Sequence, residues 1–182
     1  MKNLKALAVV VAIMMSSALM AQTKIGYISV DNMVAIMPKT ATLDSIIEKY
    51  QTDSIAPQFQ QLMTTYQWKD SMLRDTVGTP ITVRRQIEQE LPTLLYQLQN
   101  WQAIVQQATE AKQNELLAPI YREVYEAIRT VAKEKGYTHV FNREALLVAP
   151  DGDDMIMAVA AKLKVTVPPQ LRPGYKPPTS GQ

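Results

Sequence analysis

The stretch IEQELPTLLYQLQNWQAIVQQA, residues 87–108, decides the fold of this chain. Its apolar residues recur at alternating steps of four and three, at Ile87, Leu91, Leu94, Leu98, Trp101, Val105 and Ala108. This spacing places them on one stripe of an α-helix, in the heptad pattern of two helices that share a packing seam. The sequence therefore predicts a long helix with a second helix packed against it.

The partner helix is predicted upstream, from Thr40 to about Asp75. Its apolar residues also fall mostly at steps of three and four, at Leu43, Ile47, Tyr50, Ile55, Phe59, Leu62, Tyr66 and Leu73. TVGTP, residues 76–80, breaks the pattern, since Gly78 permits a sharp turn and Pro80 suits the start of a helix. Two long helices joined by one tight break must run antiparallel, so residues 39–135 are predicted to form a helical hairpin arm of ~60 Å.

The arm should end near Gly136, and two prolines should disturb it. Beyond Lys112 the apolar stripe shifts to Leu117, Ile120, Val124, Ile128 and Val131. Gly136 is suited to the end of a helix. Pro57 and Pro92 each remove a backbone hydrogen bond, so we expect bends at both.

Short β-rich segments flank the arm. KIGYISV (24–30) predicts a strand, and YTHVFN (137–142) and ALLVA (145–149) predict two more, joined by a two-residue turn at Arg143 and Glu144. MIMAVAAKL (155–163) predicts a short helix. Residues 22–38 and 136–165 are thus assigned to a small β body, and the proline-rich residues 166–182 to a disordered tail.

This body is too small to enclose a sufficient core by itself. Three short strands, a short helix from Asp31 to the stop at Pro38 and the helix at 155–163 bury little apolar surface, and strands with open edges need partners. The simplest partner is a second copy of the same body, so the sequence predicts self-association.

The N-terminus predicts export. Residues 1–21 combine two lysines, an apolar run and a small-residue stretch, as in a signal peptide cleaved after Ala21. An uncleaved anchor is the alternative, and the shortness of the apolar run disfavours it. The chain has no cysteine, which excludes disulfides, thiol catalysis and a lipidated cysteine anchor. Without the predicted signal it carries 17 basic and 17 acidic residues, so its charge gives no indication of nucleic-acid binding.

No motif in the chain supports catalysis. His139 is the only histidine, and zinc sites usually combine several histidine or cysteine ligands. Asp151–Asp154 resembles a calcium loop in composition, but the twelfth position from Asp151 is Lys162 instead of glutamate. Phosphate-binding glycine loops and nucleophile motifs are absent from the sequence. We therefore predict neither an enzyme nor a metal site, and no cofactor.

The first helix of the arm offers a candidate contact surface near the turn. Met63, Tyr66, Trp68 and Met72 cluster there, and Trp68 and Met72 lie off the main apolar stripe. Flexible and aromatic side chains suit contacts with varied apolar partners. The same region carries one more basic than acidic residue, which is a weak indication of transient contact with a membrane surface. The basic residues are Lys69, Arg74, Arg84 and Arg85, and the acidic ones are Asp70, Asp75 and Glu88.

Taken in order, the segments resemble the Skp/OmpH family of periplasmic chaperones. The resemblance rests on KIGYISVD followed by MVAIMP, a long helical hairpin, LLAPIYREVYEAIRTVAKEKGYTHVFNREALLV and the closing DGDDMIMAVAAKL. It covers about residues 24–165. The two ends match in order, whereas the arms match in kind only.

The resemblance implies an α+β fold, in which a long antiparallel helical hairpin stands on a small β body that completes a β-barrel by trimerisation. It implies a homotrimer whose three coiled-coil tentacles hold unfolded outer-membrane proteins in a cavity without ATP. The client-binding residues would include Met63, Tyr66, Trp68 and Met72. The trimer body would include Ile25, Tyr27, Ile28, Val140, Phe141, Leu146, Leu147 and Val148.

The arms depart from the family in charge. Family members have markedly basic tentacles, whereas residues 38–135 here carry 11 basic and 12 acidic side chains. A second interpretation therefore stays open, that of a non-catalytic envelope protein whose hairpin is a spacer or a dedicated assembly partner. A holdase should leave apolar patches uncovered once the seam is paired, whereas a spacer should bury nearly all of them.

Overall fold

The computed structural model of the chain describes residues 23–176. It divides into two compact units, one made of residues up to Val30 and from Glu126 onward, the other of Asp31–Tyr125. The predicted signal peptide and tail residues 177–182 lie outside the described residues. The boundaries of these units differ from those of the predicted arm, residues 39–135, and the division into arm and body stays a prediction.

Helices make up most of the described chain. They are α1 (Val30–Ala35), α2 (Leu43–Tyr50), α3 (Ala56–Arg74), α4 (Ile81–Gln99), α5 (Trp101–Lys135) and α6 (Ile156–Leu163). Two strands, β1 (Ile25–Ile28) and β2 (His139–Asn142), complete the regular structure together with short 3-10 turns.

The unit Asp31–Tyr125 contains an antiparallel helix pair. Phe59 stacks on Trp101 with ring centroids 5.4 Å apart. Nearer the turn Lys69 pairs with Glu90, and farther from it the Gln51 amide donates to Thr109 over 3.3 Å. Every predicted seam position from Ile87 to Ala108 is buried or half-buried. The apolar spacing therefore located the contacting faces of both helices.

The turn between α3 and α4 is organised by one carboxylate. Asp75 Oδ1 accepts hydrogen bonds from the N–H groups of Val77 and Gly78, at 3.1 and 2.8 Å. An aspartate that bonds backbone two and three residues ahead is a frequent way to reverse a chain. The turn thus follows from the local sequence at 75–80.

Pro57 alters the helix before it, whereas Pro92 does not interrupt α4. Residues Gln51–Ile55 form a π-helical segment, and the Ala56 N–H bonds to Gln51 O. Proline has no N–H to give to the carbonyl four residues earlier, and its ring crowds that carbonyl. A wider turn relieves both effects at this position. Downstream, the helix breaks at Asn100, which separates α4 from α5.

The other unit is built on a two-stranded parallel sheet. β1 pairs with β2, with Ile25 opposite His139 and Tyr27 opposite Phe141. On the opposite side of β1, the Met155 N–H donates to Tyr27 O over 2.9 Å. β1 is therefore flanked on both sides by segments more than a hundred residues later in the chain. The buried apolar residues of this unit are Tyr27, Ile28, Val30, Ala127, Ile128, Val131, Met155, Ile156, Val159, Ala160 and Val167.

The predicted strand ALLVA (145–149) is wrong for the single chain. Arg143–Ala145 form a 3-10 turn, and Leu146 is extended but belongs to no ladder in the described residues. A strand exists only where its backbone groups find a partner strand, which residue pattern alone does not supply. The sheet consequently has two strands and not three.

The polar residues 142–144 do not form the predicted turn of a β-hairpin: they are exposed, yet each bonds to residues of β1 or just after it. Asn142 Oδ1 accepts the Val30 N–H over 3.4 Å, and Ser29 Oγ donates to Glu144. The Arg143 guanidinium lies over the Tyr27 ring, 5.4 Å from its centroid, with Nη1 3.3 Å from the Tyr27 hydroxyl. These contacts fix the segment after β2 to the end of β1.

Part of the predicted disordered tail is ordered. Val167 is buried, Pro169–Leu171 form a 3-10 turn, and Arg172 Nε donates to Val167 O over 3.1 Å. Burial of the Val167 side chain and the hydrogen bond from Arg172 support the path of this proline-rich segment. The order extends through Lys176, the last described residue.

Gly26 is required by close packing in the first strand. A Cβ at this position would lie 2.8 Å from Met155 Sδ and 2.9 Å from Tyr137 Cδ1. We expect Gly26→Ala to lower the free energy of unfolding by about 1–3 kcal/mol, measured by urea denaturation. Gly152→Ala is the matched control, because nothing lies within 4 Å of its Cβ. Equal stability of the two variants would contradict this role of Gly26.

Asp154 predicts a pH dependence of stability. Burial raises the pKa of this carboxyl, against the opposing effects of the Ile156 N–H and the Arg143 guanidinium. Because the folded pKa exceeds the unfolded value of about 3.9, the folded state binds the proton more tightly. The contribution of Asp154 to the free energy of unfolding is therefore lost as the pH rises through its unfolded and folded pKa values.

In the parent chain, Asp154 Oδ1 accepts a hydrogen bond from the Ile156 N–H over 2.9 Å. Asp154→Asn removes the charge and keeps an oxygen that can accept the same bond. We expect the variant to gain stability relative to the parent at about pH 7, and this gain to shrink by about pH 3. Thermal unfolding followed by circular dichroism measures both. Asp151→Asn, at an exposed carboxylate, should change stability by less than about 0.5 kcal/mol. A gain that grows on acidification would contradict the assignment.

Candidate binding surface

The four predicted contact residues, all in α3, differ in exposure. Trp68 is 58% exposed, whereas Met63, Tyr66 and Met72 are half-buried. Tyr66 belongs to the apolar stripe of the helix pair, so part of its ring is already covered. Among these four residues, Trp68 offers the largest uncovered surface, and the role of the set in binding stays a prediction.

Further apolar side chains are exposed in the same unit, at positions outside the predicted contact surface. Tyr96 is 65% exposed, and Leu95 and Ile104 are 39% and 37% exposed. They lie off the stripe at Leu94, Leu98 and Trp101. The seam stripe uses all the contact that one partner helix offers, so apolar residues beside the stripe have no helix to pack against. Their positions off the stripe could have predicted their exposure.

A groove runs between the paired helices, and we call it the arm groove. Gln58, Gln61, Leu62 and Thr65 of α3 line one side. Leu94 and Gln97 of α4 and Trp101 and Ile104 of α5 line the other. Its volume is about 390 Å³, and all eight lining residues are uncharged. The groove therefore combines an apolar floor with amide groups at its rims.

Some charged side chains of the arm are paired with one another. Lys69 bonds to Glu90, and together with the Gln86 amide it lowers the pKa of the Glu90 carboxyl. Arg74 pairs with Asp70 at 2.8 Å, and Lys39 with Glu123 at 2.6 Å. Such pairs cancel locally, so the arm presents no strong field of one sign.

The predicted body residues separate into two groups. Tyr27 and Ile28 are buried within their own chain, at 2% and 1% exposure. Val140 and Leu146 are half-buried. The remaining four are exposed: Ile25, Phe141, Leu147 and Val148.

His139 occupies an exposed position in β2. Its Nδ1 lies 3.2 Å from Thr138 Oγ1. Within residues 23–176, no group of three or more histidine, aspartate or glutamate side chains is close enough to hold a metal ion. In the same range, the helices are too short or too polar to cross a membrane.

Comparison with known proteins adds a family and a fold. The family model described as "Outer membrane protein (OmpH-like)" matches residues 24–163. None of the curated proteins matches the chain.

A proposed OmpH-like outer membrane chaperone from Caulobacter crescentus, known from a crystal structure, has a similar fold. Its TM-score to this chain is 0.50, with 18% sequence identity over 76% of this chain and 82% of the other. At this identity the likeness concerns the fold alone. The family match covers most of the sequence and confirms the predicted resemblance: the chain belongs to the OmpH-like outer membrane protein family.

Proposed function

We propose that the chain is an ATP-independent periplasmic holdase that binds unfolded outer-membrane proteins between helical arms and prevents their aggregation. The observation that carries the proposal is the set of apolar side chains left exposed on the arm after the seam is paired, above all Trp68 and Tyr96. Reversible burial of a client's apolar surface competes with aggregation and needs neither a covalent step nor a nucleotide. No catalytic residue or cofactor takes part.

The same observation favours a holdase over a spacer. A hairpin that only sets a distance gains nothing from exposed aromatic rings, which cost solubility. The near balance of 11 basic and 12 acidic side chains on the arm suggests that clients are held by apolar and amide contacts more than by charge. Binding should then depend only weakly on salt.

We further propose that three copies join through their bodies. β2 pairs with β1 on one edge, while Leu146 has an extended backbone, residues 147–148 form a bend, and Leu147 and Val148 are exposed. Exposed apolar side chains on a segment that has no strand partner within the described residues are suited to adding a strand to a neighbouring sheet. On this proposal the sequence pattern of ALLVA describes a strand that exists only in the assembled barrel.

Transient membrane contact stays a proposal as well. Val77 is 96% exposed at the turn, Ile81 follows it, and Arg85 is exposed one turn later. An apolar tip beside basic side chains suits an anionic interface.

The holdase proposal is tested by light scattering from a urea-unfolded outer-membrane barrel protein diluted into buffer. The parent chain in slight excess should suppress scattering, nearly equally at about 0.05 and about 0.5 M NaCl. Trp68→Ala combined with Tyr96→Ala should raise the half-suppressing concentration roughly fivefold or more, because apolar contact area is lost. Tyr175→Ala, at an exposed tyrosine outside the arms, is the control. Unchanged scattering with the parent chain would leave the spacer interpretation.

The assembly proposal is tested by light-scattering mass measurement of the signal-free chain. The parent should have three times the mass of one chain, and Leu147→Asp should shift it toward one chain, because a carboxylate would be buried in the interface. Val77→Asp, an exposed valine at the turn, should leave the mass unchanged. A parent of single-chain mass, or a trimer indifferent to Leu147→Asp, would contradict this interface.

A further inference from the structure

The arm groove differs from the rest of the arm in charge. Residues 38–135 carry 23 charged side chains, yet none of them lines this groove. By contrast, a second cavity of the same unit, between Gln51 and Gln106, includes the carboxylate of Glu110. A charged ligand entering the arm groove would lose its hydration and find no opposite charge. The groove therefore fits an uncharged occupant.

The amides at the rims are available for hydrogen bonds. Within the described residues, the side chains of Gln58, Gln61 and Gln97 bond to no other side chain or backbone group. Elsewhere in the unit, the Gln86 and Gln106 amides donate to carboxylates one turn away. A primary amide offers a donor and an acceptor side by side, which is the pair that an extended peptide backbone presents.

The floor of the arm groove is apolar and only half covered. Leu62, Leu94 and Trp101 are half-buried, and Ile104 is exposed. Phe59 packs on Trp101 and holds its ring in place. A rigid aromatic side chain beside aliphatic ones provides contact area at a low cost in conformational entropy. One apolar side chain of a ligand can cover this floor.

We propose that the arm groove binds an uncharged, extended segment of unfolded polypeptide. An aliphatic or aromatic side chain of the segment covers Trp101 and Leu62, and its backbone exchanges hydrogen bonds with the amides of Gln61 and Gln97. This inference rests on the proposed holdase function and gives it a binding element and a preferred type of client segment. Alternating polar and apolar residues, the pattern of a β-strand, satisfy both requirements.

The test uses Trp101 fluorescence in a Trp68→Phe background, where Trp101 is the remaining tryptophan. The probe is a short, end-blocked peptide of alternating threonine and phenylalanine, and its comparison replaces threonine with aspartate. The neutral peptide should cause a saturable change in emission and bind at least about tenfold more tightly, because a carboxylate in the groove is uncompensated. Equal affinity of the two peptides, or no saturable change, would overturn the proposal.

Rim variants give the matched controls. Gln61→Glu should lower the affinity for the neutral peptide about fivefold, which is the effect of one lost hydrogen bond in a partly desolvated site. Gln60→Glu adds the same charge on the same helix, at an exposed residue that does not line the groove, and should leave the affinity unchanged. Equal losses from both variants would indicate a general charge effect and overturn the assignment.

Two further readouts separate this inference from other outcomes. A Trp101 emission that changes on dilution of the chain alone would mean that a second copy occupies the groove, which also overturns it. Suppression of client scattering by the parent chain, with no loss in Gln61→Glu, would refute the groove and leave the holdase standing. Absence of suppression by the parent would refute the holdase itself.

Discussion

The contact between two antiparallel helices along one seam is the constraint on which the arm depends. Each helix can turn only one stripe toward its partner, and the seam covers that stripe incompletely. Ile55 and Ile87 are buried, while most other seam residues, including Leu91 and Trp101, stay half-buried. A helix pair stabilised in this way keeps part of its apolar surface in contact with water. Exposed apolar surface on the arm is thus a direct consequence of its thickness.

The arm was the part of the fold most readable from sequence. Steps of three and four identified the seam, Gly78 and Pro80 located the turn, and the helix end at Lys135 is followed by Gly136 with φ of 71°. These features depend on neighbours within a few residues. The π-helical segment before Pro57 was expected only as a bend, because the choice between a kink and a wider turn is set by packing across the pair.

The body was less predictable, because its structure depends on contacts between segments far apart in the chain. The alternation in KIGYISV indicated a strand, but parallel pairing with residues 139–142 was not visible in it. Asn142, Arg143 and Glu144 look like turn residues by type, yet they bind the end of β1 and the Ser29–Val30 segment. Residues 145–149 have strand composition without a partner. Local pattern specifies what a segment can pair with, and only the neighbours decide whether it does.

The distribution of polar groups on the arm indicates what kind of recognition it supports. Its basic and acidic side chains are nearly equal in number and some pair with each other, as Lys69 does with Glu90, so their charges select few partners. On the proposed function, glutamines that keep both donor and acceptor exposed would bond to the backbone of any client, and exposed aromatic rings would contact any apolar side chain. Neither contact requires a specific sequence beyond the exclusion of charge from the arm groove. Such a surface would discriminate folded from unfolded polypeptide, because only an unfolded chain presents free backbone groups and apolar side chains together.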